Sequence, residues 1–240
     1  MKKMFSMIMV VALLVCSCAF AMAEEASWYE LSAEGTVLTV RLPGNSKNGL
    51  NWGFEISNPE ALELITQEVI EGESEGMAGA ETTFVASFMS TANAENNVSL
   101  ILHYNDGSAE ADVKTNVLEL AINAENVITV NSVLEQDKNT DLMELGDDGY
   151  VLTVTVPETA PDGCTWEQDG GTALELITFE TENGFVGSYM ATMENAGSNE
   201  LNVSCVNSDG VALKTYTFNV FINESGEMTP EWVQIFEVFA

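Results

Sequence analysis

Basic side chains are the scarcest chemistry in this sequence: seven Lys and Arg stand against 38 Asp and Glu in 240 residues. The resulting formal charge of −31 repels nucleic acid and anionic lipid, because both are polyanions. Histidine is almost missing. His103 is the single one, so a Ser-His-Asp or Cys-His arrangement has only one candidate base. It sits in an alternating segment beside Tyr104, which suits a strand histidine facing solvent or a hydrogen-bond partner. No glycine loop follows a strand and opens a helix in the way that cradles phosphate. No apolar run is long enough to span a membrane. These absences leave no cofactor implied, and they favour a binding protein over an enzyme.

What is present begins with an export signal. Lys2 and Lys3 precede the apolar run Met7 to Val15, and Ala21-Met22-Ala23 forms a small-residue cleavage site before Glu24. Residues 1–23 therefore read as a secretory signal peptide cleaved after Ala23, and the protein as secreted and extracellular. The mature chain, Glu24 to Ala240, keeps five basic residues against the 38 acidic ones, a formal charge of −33. With 46% hydrophobic residues recurring along its length, it has the material for a packed core.

The strongest internal signal is a repeat. Gly35-Thr-Val-Leu-Thr-Val-Arg-Leu-Pro43 matches Gly149-Tyr-Val-Leu-Thr-Val-Thr-Val-Pro157. Gly49 and Trp52 match Gly163 and Trp166 at the same spacing. Ala61 to Thr66 recurs unchanged as Ala173 to Thr178, Phe84 to Met89 returns as Phe185 to Met190, and Ile122-Asn123 as Ile222-Asn223. The matches are collinear. They predict two domains, copy one over 27–134 and copy two over 145–240, joined by an acidic linker over 135–144. Copy one carries an extra segment within Gln67 to Thr83, rich in Gly and Glu, which reads as a surface loop where length is tolerated.

The shared blocks read as strands. Apolar and polar residues alternate over Val37 to Leu42 and Val98 to His103, and Gly, Asn, Asp and Pro clusters break the chain every 8–12 residues or so, as in a β-sandwich or barrel. Ala61 to Ile70 has helical propensity, but its repeat Ala173 to Thr181 alternates as a strand, and strand is the reading adopted. Glu231 to Phe239 fits an edge strand or an amphipathic turn of helix. Trp52 and Trp166, each three residues after a glycine, read as core plugs. Asp137, Asn139, Asp141 and Asp148 have the spacing of a calcium loop, but Leu142 stands where that loop needs Gly, so a solvated linker is favoured over a metal site.

Two cysteines survive cleavage, Cys164 and Cys205. By the repeat they align with Leu50 and Leu102, which are apolar positions in copy one. If the strands are neighbours, a disulfide replaces a leucine contact and closes a loop of about 40 residues, adding roughly 2–4 kcal/mol. The alternative is two buried free thiols.

With these residues in view, each copy resembles the chagasin-type inhibitors of papain-like cysteine proteases. That family consists of small immunoglobulin-like sandwiches whose three end loops plug the protease cleft. The first loop carries Asn-Pro-Thr-Thr-Gly-Tyr before a Trp, the second is glycine-rich, and the third carries Arg-Pro-Trp or a variant after a Tyr. Copy one resembles this pattern at Asn45-Ser46-Lys47-Asn48-Gly49-Leu50-Asn51-Trp52, with Ser46, Lys47, Asn48 and Leu50 in place of Pro, Thr, Thr and Tyr. Gly76-Met77-Ala78-Gly79 resembles the glycine-rich loop. Leu100 to Tyr104 resembles the strand before the third loop, with Asn105-Asp106-Gly107-Ser108 where Arg-Pro-Trp would stand. Copy two keeps Gly163 and Trp166, shortens the second loop to about Glu180 to Gly184, and has Asn207-Ser-Asp-Gly210 at the third.

The resemblance implies two tandem immunoglobulin-like β-sandwiches and a papain-like cysteine protease as partner. The contact residues would be Asn45, Ser46, Lys47, Asn48, Gly49, Leu50, Gly76, Ala78, Gly79, Asn105, Asp106 and Gly107. The other reading is a non-inhibitory binding, adhesion or cell-envelope module that kept the core and lost the loops, since function resides in sites rather than folds.

Overall fold

A computed structural model of the chain describes residues 28–45, 50–72, 81–91, 96–105, 112–138, 140–192 and 196–239. The predicted signal peptide lies outside them. Among the described residues there are sixteen strands and no helix. In the first half these are β1 (Tyr29–Leu31), β2 (Val37–Asn45), β3 (Asn51–Ile56), β4 (Leu62–Glu71), β5 (Glu81–Ser90), β6 (Asn96–Asn105), β7 (Lys114–Ile122) and β8 (Ile128–Asp137). In the second half they are β9 (Met143–Leu145), β10 (Val151–Val156), β11 (Cys164–Asp169), β12 (Leu174–Glu180), β13 (Phe185–Ala191), β14 (Gly197–Asn207), β15 (Ala212–Ile222) and β16 (Met228–Val238). The Ala61 block is thus the strand β4, as its alternating repeat indicates.

The alternation read in the sequence becomes a two-layer arrangement. Leu38, Val40 and Leu42 of β2 and Phe84, Ala86 and Phe88 of β5 face Leu100, Leu102, Leu118 and Leu120 of β6 and β7 in one buried cluster. Leu152, Val154, Phe185 and Tyr189 face Leu201, Val203, Phe218 and Val220 in a second. Each fully buried side chain of this size stabilises the fold by about 1.5–3 kcal/mol. The two layers of the first cluster are a four-stranded sheet, β1-β2-β5-β4, and the β3-β6-β7-β8 ladder. Those of the second are β9-β10-β13-β12 and β11-β14-β15-β16. The second cluster carries polar flaws: among the described residues neither Nε1 of Trp166, packed against it, nor the hydroxyl of fully buried Tyr189 has a hydrogen-bond partner. Burial pushes the Tyr189 pKa up.

Where independent sandwiches would make four sheets, three are found. The ladders β3-β6-β7-β8 and β11-β14-β15-β16 run on into one eight-stranded sheet, because β8 pairs with β16 in antiparallel register from Ser132↔Val238 to Asp137↔Val233. The physical reason is edge satisfaction: an uncovered edge strand leaves a row of backbone donors and acceptors unpaired, and each strand supplies the other's partners. The C-terminal run left open between edge strand and helix is therefore a strand inside the sheet. The segment read as a linker over 135–144 is also shorter than expected. Glu135, Gln136 and Asp137 belong to β8, and Met143 and Glu144 to β9, where Met143 is buried against the second cluster.

Candidate functional site

The strand ends of the first half that border residues 46–49, 73–80 and 106–111 lie together. Asn45 at the end of β2 pairs with Glu81 at the start of β5. Asn51 at the start of β3 pairs with Asn105 at the end of β6. A hydrogen bond ties the two sheets here: the indole Nε1 of Trp52 donates to the Pro43 carbonyl at 2.9 Å. Trp52 is buried and packs on Tyr104, with ring centroids 5.0 Å apart and tilted by 30°. Such a ring pair adds about 0.5–1.5 kcal/mol beyond its burial. Trp52 is therefore the core plug that the sequence indicated.

Gly44 completes this floor. A Cβ there would come within 2.7 Å of Thr82 Oγ1, whose side chain would have to shift, and 3.8 Å from the Tyr104 ring, an ordinary contact distance. On the outer face beside the floor, Asp112 gathers three neighbours. His103 Nδ1 lies 2.5 Å from its Oδ2, Asn105 Nδ2 donates to Oδ1 at 2.5 Å, and Thr115 Oγ1 donates to Oδ2 at 3.3 Å. Partial desolvation pushes the Asp112 pKa up. The hydrogen bonds from Asn105 and His103, the His103 charge and Thr115 together outweigh it, and the carboxyl ends below its ordinary value of 3.8. His103 thus faces a hydrogen-bond partner from an open pocket lined also by Gly53, Phe54 and Glu55. The arrangement positions a chain segment: Thr115, opposite His103 in the ladder, gives its hydroxyl to the same Asp112 carboxylate.

Of the candidate contact residues, Leu50 and Asn105 are placed: Leu50 packs against the first cluster, and Asn105 binds Asp112. Asn45 is placed by its backbone in β2. Ser46, Lys47, Asn48, Gly49, Gly76, Ala78, Gly79, Asp106 and Gly107 lie outside the described residues. Sequence reasoning misses Pro43 and Gly44, and reaches Asp112 only as the end of the third contact segment, Asn105 to Asp112. A signal for Gly44 existed, since the repeated block ends Pro-Gly in copy one and Pro-Glu in copy two. Asp112 carried none, as one carboxylate among 38. The spacing that resembles a calcium loop is put to other use: Lys114 binds Asp137, and Asn139 lies outside the described residues.

The corresponding end of the second half has different contents. Glu158 stands where copy one has Gly44. Its carboxylate accepts from Lys214 Nζ at 2.7 Å and from the Tyr216 hydroxyl at 2.6 Å. Gly163 adopts φ of +82° before β11, a conformation that suits glycine. Trp166 is only partly buried, and its Nε1 has no partner among the described residues, so it plugs the core less completely than its repeat.

The cysteines need two corrections. Cys205 lies directly opposite Trp166, as Tyr104 lies opposite Trp52. It therefore replaces Tyr104 rather than Leu102. The Asn105-Asp-Gly107 and Ser208-Asp-Gly210 motifs stand at different distances beyond these paired residues, so they do not fix the register. The expected disulfide is not formed either: Cys164 and Cys205 are free thiols. Cys164 pairs with Asn207, so the two cysteines are diagonal neighbours. Their side chains are in hydrogen-bond contact without a bridge between them. Desolvation, the neighbouring Cys164 and Glu158 push the Cys205 thiol up to about 11, with Lys214 opposing, so it is not a nucleophile at neutral pH.

Residues 32–119 match the family model described as chagasin family peptidase inhibitor I42. The matched span runs from the turn before β2 into β7 and includes every strand that borders the floor around Trp52. The first half is thus similar to a family of peptidase inhibitors, not enzymes. No curated protein and no solved structure matches the chain.

Proposed function

We propose that the chain is an exported inhibitor of papain-like cysteine proteases and that copy one carries the inhibitory end. The observation that supports this is the match over residues 32–119, whose strands bring the borders of three segments to one end. In this reading Asn45 to Asn51, Gly76 to Thr82 and Asn105 to Asp112 enter the protease cleft, with Lys47 and Asn48 at the tip of the first. The Trp52–Pro43 bond and the Trp52–Tyr104 ring pair hold the floor rigid, which lowers the ordering cost of binding. The lowered Asp112 pKa keeps that carboxylate charged and bonded to Asn105 at the base of the third segment. Export rests on the leader at residues 1–23, and copy two is a divergent companion without the long glycine-rich segment.

The test is a titration of the mature protein against papain and a cathepsin-L-like protease. Stoichiometric loss of peptide hydrolysis is the expected result. If neither enzyme is slowed at micromolar protein, the inhibitor reading is overturned and the non-inhibitory binding or envelope module takes its place.

A further inference from the structure

The seam between the halves joins equivalent edge strands, β8 and β16, and antiparallel pairing of equivalent strands is two-fold by geometry. The hairpins flanking it repeat at a spacing of 100 residues. Asn123 and Asn223 each accept two backbone N–H bonds in the turn, from Glu125 and Val127 and from Ser225 and Glu227. Asn126 and Gly226 both have positive φ, 65° and 85°. The bulges fall at Glu119/Leu120 and at Asn219/Val220.

At that spacing the seam maps onto itself. Glu135 pairs with Ile235, its own equivalent position. Gln136↔Gln234 is exchanged with Leu134↔Phe236, and Asp137↔Val233 with Val133↔Glu237. Each half thus presents the same stretch of strand to the other about a local two-fold centred on residues 135 and 235, the relation found in two-fold dimers. The flanking charges follow it: Lys114 binds Asp137 across one side, and Lys214 lies 3.6 Å from Glu237 across the other. The carboxylate at the centre is held by the Trp28 indole, whose Nε1 donates to Glu135 Oε1 at 2.6 Å. Val133 and Val233 sink into their own clusters, so neither half lends its core to the other.

We propose that β8 is a self-complementary docking edge whose partner is a second copy of the same sandwich, and that the second half of this chain fills it internally. Antiparallel pairing sends the two loop ends in opposite directions, so the second half leaves the Trp52 floor uncovered. Its role is to close an edge that would otherwise recruit another molecule. This inference does not depend on protease inhibition.

The test uses the full chain with a site-specific protease cleavage sequence inserted after Lys138. After cutting, the two halves are expected to co-elute as one particle at micromolar concentration. Separate elution, with each half keeping its β-sheet circular dichroism, overturns the proposal. Ile235→Glu puts a carboxylate opposite Glu135, where like charges repel. It is expected to weaken association of the cut halves at least about tenfold, a factor equal to about 1.4 kcal/mol. Adding Glu135→Ile to the same chain exchanges the pair and is expected to restore association. Unchanged association in the Ile235→Glu chain also overturns the proposal, because the register would then not carry the contact.

Discussion

The two loop ends start from one strand plan and solve the same packing problem with different chemistry. In the first half, Trp52 and Tyr104 fill the end with two rings, and Gly44 leaves them room. In the second, Cys205 takes the place of Tyr104 and vacates that volume. Glu158 takes the place of Gly44 and turns into it, and Lys214 and Tyr216 satisfy its carboxylate. A Cβ at position 44 would crowd Thr82 Oγ1 at 2.7 Å and lie in ordinary contact with the Tyr104 ring at 3.8 Å. The first end is apolar, rigid and bordered by longer segments. The second is closed by short turns at its second and third connections, and its Trp166 Nε1 has no partner among the described residues.

The contrast can be broken most severely at the tryptophans. Trp52→Ala removes a buried ring, its carbonyl bond and its stacking partner, and should cost about 3–5 kcal/mol in chemical denaturation. Trp166→Ala removes a partly exposed ring with no hydrogen bond and should cost clearly less. Equal losses would mean that the two ends are packed alike. A smaller effect is expected at Glu158. Glu158→Gln leaves Lys214, 18% exposed, with its weaker Glu237 contact, and should lower stability by about 2 kcal/mol. Asp137→Asn cuts a more exposed Lys114 pair and should cost less than about 1 kcal/mol. A reversed order in urea midpoints would show that the second end is not held by its ion pair.

The smallest effect is a pH dependence confined to the first end. The folded-state pKa of Asp112 is depressed, so its contribution is fully present above its ordinary value near 3.8 and is lost as pH falls through the folded value. Acid unfolding curves of the native chain and of Asp112→Asn should converge below that range and separate above it. Parallel curves throughout would remove the Asp112 cluster from the account of this end.

Much of this was legible beforehand. The repeat, the strand assignments of the Val37, Phe84 and Val98 blocks, and Trp52 as the core plug follow from period-two patterning, which fixes which side chains a sheet buries. The strand β4 was readable only because its repeat alternated more cleanly. The partners of strand ends were less accessible. Asp112 is one acid among many until folding sets it against His103 and Asn105. Cys205 was misaligned because register across a loop of changed length is decided by the ladder, not by the turn motif.

The sequence by itself determined the all-β class, the repeated sequence blocks, the excess of acidic over basic residues and the resemblance of the first half to a peptidase-inhibitor family, since each is a property of composition or local order along the chain. Tertiary structure alone decided that Glu158 replaces an aromatic packing with an ion pair, that the cysteines stand diagonally as thiols, and that Glu231 to Val238 lies inside a sheet shared by both halves. Those outcomes depend on which strand edges meet and in what register. Backbone hydrogen bonding enforces that choice between segments about a hundred residues apart, and no local pattern encodes it.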